Sequence, residues 1–268
     1  MRKLINIKRS YRVISSILSS QYALMLEYRA EIILWALSGL LPLFMLAIWQ
    51  DADVLSKLDL SRLELRKYFI SAFLVRQFTA IWVIFLFERD NIEGRLSPLL
   101  LQPVNPFWRY YFSHIAEQLT RLPFVIFFLT LLILFIPELN LTFDIFNVLL
   151  SILVILSTFT IRFLMHWLFS MACFWTDRAS AVERLLLIPY VFLSGLVAPL
   201  EAYPESIQNF SRMTPYPYLI AFPSKVLMGD FTYLSIFFKG IIIWGVVFFI
   251  LSKIIWKLGL KKYSAMGS

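Results

Sequence analysis

Cysteine is nearly missing from this chain. Cys173 stands alone, so no intrachain disulfide can brace the fold. Histidine is almost as scarce: only His114 and His166 occur, and neither has a partner at metal-ligand spacing. No Ser-His-Asp arrangement suggests a nucleophilic centre. A phosphate loop is also lacking. Gly240 and Gly245 have the glycine spacing of one, but Val246 stands where its lysine belongs, and the segment is apolar throughout. These absences argue against covalent chemistry and against a nucleotide site within this chain, and no cofactor or metal is expected on it.

Charge is sparse and unbalanced. Lys and Arg number 25 against 17 Asp and Glu, a net charge of +8. Nucleic acid is a poor partner for this excess, because no soluble module is left to bind it. Basic loops facing a cytoplasm and anionic membrane lipid account for it better.

Apolar residues are what the chain has in abundance. They make up 60% of it, with 26 Phe and 8 Trp, and mean hydropathy is +0.75. The stretch from Ile32 to Trp49 contains no charge. A run of that length can approach the span of a hydrocarbon core about 30 Å thick. Five further apolar segments follow, so the expected fold is all-α: a polytopic membrane protein with six transmembrane helices. The spans are placed at about 31–49, 68–87, 115–136, 145–174, 181–200 and 233–256. The second is interrupted by Arg76-Gln77, and the first half of the third, with Glu117 and Arg121, is expected at the interface.

Residues 1–30 precede the spans. Leu4, Ile7, Tyr11, Ile14 and Leu18 recur at helical spacing, with Lys8, Arg9, Arg12, Ser16 and Ser19 opposite. This predicts a basic amphipathic helix lying in the membrane interface. The membrane domain is expected over 31–260. A basic tail, 261–268, closes the chain, and its last four residues read as an appended scar. Counting Lys and Arg, the segments on the N-terminal side of the membrane hold 16 and those on the other side hold 6. Positive residues favour the cytoplasm, which predicts both termini there.

The most informative polar segment connects the second and third spans. Glu88, Arg89, Asp90, Glu93 and Arg95 surround Gly94, which permits a sharp change of direction. Leu96, Leu99 and Leu100 then belong to a short helix begun near Pro98 and stopped by Pro103. Such a helix is too short to span. It is expected to lie flat at the inner face, its leucines against the spans and its charges toward a cytoplasmic partner. Late in the fifth span, Gly195 allows close helix approach, and Pro199 and Pro204 break the helix near the outer surface. Arg76 in the second span, and Arg162 and His166 one turn apart in the fourth, are charged or polar groups within apolar segments, where such residues usually face a bundle interior or water.

Three motifs together resemble the type-2 ABC exporter permeases, in particular the small six-span bacterial branch. They are Leu26-Glu27-Tyr28-Arg29-Ala30-Glu31 before the first span, Glu93-Gly94-Arg95-Leu96 with Leu99-Leu100-Leu101-Gln102-Pro103 after the second, and Phe192-Leu193-Ser194-Gly195 with Pro199-Leu200 and Tyr203-Pro204 in the fifth. The order and spacing cover essentially the whole chain. One departure is Ile92, where relatives often have a basic residue.

The resemblance implies a permease that pairs with a second copy or a homologous permease around a central pathway. A cytoplasmic ABC ATPase carrying ATP and Mg would drive it, and hydrolysis would belong to that partner, with no catalysis in this chain. The coupling element would include Glu88, Arg89, Glu93, Gly94, Arg95, Leu96, Leu99 and Leu100. Ser194, Gly195, Pro199, Tyr203 and Pro204 would form an extracellular gate at the dimer interface, and Arg76, Arg162 and His166 would lie beside the pathway. A bacterial inner membrane is the implied location. The competing expectations are a self-sufficient secondary transporter or channel, which needs buried acids for ion coupling, and a membrane-embedded enzyme acting on lipid, which needs a clustered catalytic set.

Overall fold

The computed structural model describes residues 2–27, 34, 36–49, 61–136, 144–176 and 178–263. These are helical, with no strand among the described residues. The elements are α1 (Arg2–Glu27), α2 (Leu41–Trp49), α3 (Arg62–Phe78), α4 (Val83–Ile92), α5 (Leu96–Leu101), α6 (Pro106–Thr120), α7 (Leu122–Phe135), α8 (Ile145–Ser170), α9 (Ser180–Leu193), α10 (Glu205–Arg212), α11 (Ala221–Leu227) and α12 (Leu234–Lys262).

Among the described residues, three stretches are long and apolar enough to cross a membrane: Arg62–Ile92, Ile145–Phe174 and Phe231–Lys262. A fourth results if α6 and α7, bent by 41°, form one span. Pro123 explains the bend, because it sits in the first turn of α7, lacks an N–H and crowds the preceding turn. The remaining two expected spans are shorter as helices. Ala36–Trp49 is an apolar helix below spanning length, and much of its expected first turn lies outside the described residues. The fifth, expected over 181–200, is helical only to Leu193. Its 14 residues rise about 21 Å.

Local signals set several boundaries. Ser61 and Glu64 form a capping box at α3: Glu64 N–H donates to Ser61 Oγ at 3.1 Å, and Ser61 N–H donates to Glu64 Oε2 at 2.8 Å. Asn105 caps α6 by accepting from Phe107 N–H at 2.9 Å, with Pro106 at the first position.

α1 packs along α6, and Ser113 Oγ donates to Gln21 Oε1 at 3.2 Å. Val13, Ile14, Ile17 and Leu18 are half-buried, whereas Arg12, Ser16 and Ser19 are exposed. The expected two-faced pattern therefore holds where side chains are described. Leu4, Ile7, Lys8, Arg9 and Tyr11 fall among the side chains outside that description.

The innermost packing is aromatic. Phe87 is surrounded by Tyr110, Trp167, Phe174 and Trp256 at centroid distances of 5.4–6.2 Å. Edge-to-face pairs of this kind add stabilisation beyond burial. This cluster ties α4, α6, α8 and α12 together beneath α5.

Candidate functional site

The corner between α4 and α5 is built around Gly94, whose φ of +71° falls in the left-handed region. Leu96 is fully buried and Leu99 nearly so, while Leu100 packs against the same aromatic cluster. On the outside, Arg89, Glu93 and Arg95 are exposed, with Arg95 Nε 2.7 Å from Glu93 Oε2. Leu101 is 88% exposed, so the corner presents a leucine as well as an ion pair.

This corner is fastened from every side. Glu88 points inward rather than outward: its carboxylate accepts from Ser180 N–H at 2.6 Å and from Ser180 Oγ at 3.1 Å. It thereby satisfies an orphan donor in the first turn of α9, where negative charge is favoured. Asp90 accepts from Tyr110 O–H at 2.6 Å. Asn91 Nδ2 donates to the Cys173 carbonyl at 3.3 Å, and the Ser97 and Tyr263 hydroxyls lie 2.9 Å apart. The corner is therefore tied to α6, to α9 and to the segments that follow α8 and α12.

Deeper in the bundle, Thr79 to Trp82 interrupt the helix between α3 and α4. α6 satisfies the freed backbone there. Trp82 N–H donates to His114 Nε2 at 3.1 Å, and the other ring nitrogen of His114 lies 2.7 Å from the Tyr110 carbonyl. The ring hydrogen therefore sits on Nδ1. Gln118 Nε2 donates to the Ala80 carbonyl at 2.7 Å. Arg121 donates to the Gln77 carbonyl at 3.2 Å and pairs with Glu117. Irregular backbone survives at membrane depth when protein groups satisfy it in this way. Glu117 and Arg121, expected at the interface, turn inward, because these carbonyls and N–H groups need partners; Arg121 is 2% exposed.

The structure brings Arg76, Arg162 and His166 into one polar seam. Tyr190 O–H is its centre, accepting from Arg162 at 3.0 Å and from Arg76 at 3.3 Å. The Arg162 guanidinium also lies 4.4 Å from the Tyr190 ring centroid. His166 Nδ1 is 3.1 Å from Glu183 Oε2, close enough to pair but not aligned as a hydrogen bond. Sequence reasoning missed Tyr190 and the pairing of Glu183 with His166. Tyrosine carries no signal inside an apolar helix, and the pairing of Glu183 with His166 joins α8 to α9.

At the other end, the motif after α9 folds back into the chain. Gly195 has φ of +87°, and Tyr68 O–H donates to its carbonyl at 2.7 Å. A Cβ at Gly195 would lie 2.4 Å from that hydroxyl, so only glycine fits. Ser194, Gly195 and Pro199 are buried, Tyr203 is half-buried and Pro204 is exposed at the start of α10. Trp49 Nε1 donates to the Val197 carbonyl at 2.9 Å. Nearby, Lys225 pairs with Glu201 at 3.1 Å, and Tyr233 O–H donates to the same carboxylate at 3.2 Å. Helix 181–200 was expected to continue through this motif. It stops at Leu193 because the left-handed turn at Gly195 cannot extend an α-helix.

A family model for ABC-2 family transporter proteins matches residues 36–267. The chain belongs to the ABC-2 transporter family. No curated protein and no solved structure matches it. Members of this family are membrane transport subunits, generally non-catalytic, that typically work with an ABC ATPase. For this ABC-2 chain, the all-helical fold and the apolar helices of spanning length agree with an integral membrane protein.

Proposed function

We propose that this chain is the transmembrane permease subunit of an ABC exporter. It dimerises, with a second copy or a homologous permease, around a substrate pathway in a bacterial inner membrane. A separate cytoplasmic ATPase, carrying ATP and Mg, supplies the energy. Both termini face the cytoplasm, and six segments cross the bilayer.

The α4–α5 corner carries this reading. A corner that presents Glu93 and Arg95 before α5 and Leu101 at its end, while Glu88, Asp90, Asn91 and Ser97 fasten it to the neighbouring helices, is suited to receive a mechanical push. Gly94 provides the change of direction, and Glu88 passes displacement directly to α9. α9 leads to the segment from Ser194 to Pro204, which acts as the outer gate, with Tyr203 and Pro204 at the edge nearest the paired permease. The seam of Arg76, Arg162 and His166 lies between corner and gate and lines the moving helices. A self-sufficient secondary transporter would need an acid free to take up an ion, whereas Glu117 is paired with Arg121 and Glu183 faces His166.

The test is co-purification with the candidate cytoplasmic ATPase in detergent. Glu93→Arg and Arg95→Glu singly are expected to weaken association at least tenfold, equivalent to about 1.4 kcal/mol. The double exchange restores the internal ion pair of the corner but reverses its display. Continued weak association in the double exchange supports contact with the ATPase. Full recovery would mean that the two residues serve only each other, and absence of any association by the unaltered chain would overturn the permease reading.

A further inference from the structure

A groove of about 510 Å³ runs between α6, α8 and α12, and neither Arg76, Arg162, His166 and Tyr190 nor the segment 194–204 lines it. Trp108, Tyr111, Trp167 and Trp256 form its walls, and Leu164 and Phe249 continue them. Of the polar groups on its lining, Asn105 Oδ1 accepts from Phe107 N–H and the Tyr111 and Thr160 hydroxyls are paired with each other; Ser252 and Lys253 are left. Lys253 is exposed at the rim, its ammonium 4.3 Å from the Phe249 ring centroid. Ser252 is 6% exposed, yet its hydroxyl has no hydrogen-bond partner among the described residues. A buried hydroxyl without a partner costs free energy, so a ligand that accepts its hydrogen would be favoured. No acidic side chain lines the groove, and Lys257 lies one turn farther along α12.

We infer that this groove binds an acidic phospholipid of the surrounding bilayer. Its phosphate would sit between Lys253 and Ser252, and an acyl chain would follow the aromatic walls toward Leu164. The charge matches: a cation at the rim, a hydroxyl donor within and no carboxylate to repel the phosphate. Aromatic residues are placed as at a headgroup boundary, with an apolar body and polar tip. Because α6 begins beside α5, a lipid held here would buttress the coupling corner from the bilayer side.

The experiment uses the full chain reconstituted with phosphatidylcholine alone or mixed with phosphatidylglycerol, released from the bilayer and weighed by native mass spectrometry. Phosphatidylglycerol is expected to be retained about fivefold over phosphatidylcholine, the effect of one lysine near an anionic lipid. Lys253→Gln should bring that ratio close to one. Ser252→Leu, which fills the groove, should lower retention of both lipids. Lys261→Gln, at the end of α12 and outside the groove, should leave the ratio as in the unaltered chain. Equal retention of the two lipids by the unaltered chain, or a preference that survives Lys253→Gln, would overturn the inference. So would complete displacement by soluble glycerol phosphate, which would make the groove a site for free anions. Each variant is checked for a single symmetric peak in size exclusion, and Lys253 is exposed, so its replacement leaves the packing intact.

Discussion

Tyr190 is uncharged, yet it sets the position of two guanidinium groups. Its hydroxyl accepts from both Arg76 and Arg162, and the side chain is 4% exposed. Tyr190→Phe keeps the ring beneath Arg162 but removes the shared acceptor. Buried donors left without partners cost about 1–3 kcal/mol, so the variant should unfold earlier on heating in detergent, by a margin larger than for exposed Tyr-to-Phe changes. Unchanged thermal unfolding would show that water or another group serves the arginines. Arg76, Arg162 and His166 are conspicuous in the sequence because charge interrupts apolar runs. Their partners are not conspicuous. Tyrosine is common in this chain, and Glu183 stands 17 positions from His166, beyond any local spacing rule.

At the scale of elements, α9 depends on a residue from another helix. Its first turn draws a carboxylate from Glu88, on α4, rather than a cap from its own flank. Glu88→Ala should weaken this terminus by about 1 kcal/mol, the usual cost of losing a cap. Hydrogen exchange at residues 180–183 should then quicken, with the middle of α8 unaffected. If Glu88 instead serves only an external partner, exchange in α9 will not change. The α3–α4 interruption has the same origin. No proline or glycine lies between Thr79 and Trp82, so nothing local announces it. The break persists because His114, Gln118 and Arg121 from α6 satisfy it, and only packing brings α6 there. Gly94 is different: a glycine between charges, ahead of a leucine-rich two-turn helix, marks its turn openly.

For the whole molecule, the basic bias of the loops predicts that Arg62 and Leu101 lie on opposite sides of the membrane, with Leu101 cytoplasmic. Both are exposed. In a Cys173→Ser background, a membrane-impermeant maleimide should label Arg62→Cys in intact cells and Leu101→Cys only after permeabilisation. The reverse pattern would invert the topology, and labelling of both from one side would mean that α3 and α4 do not form a single crossing.

The sequence alone determined the membrane class, the helical fold, the amphipathic N-terminal segment and the short helix after Gly94, because apolar run length, periodicity and glycine placement act locally. Tertiary structure decided what each polar residue does. It turned Glu88, Glu117 and Arg121 inward, ended α9 at Leu193 and gathered Arg76, Arg162 and Tyr190 around one hydroxyl. The reason is that an apolar environment requires each polar group to find a partner, and the available partners lie on helices distant in sequence.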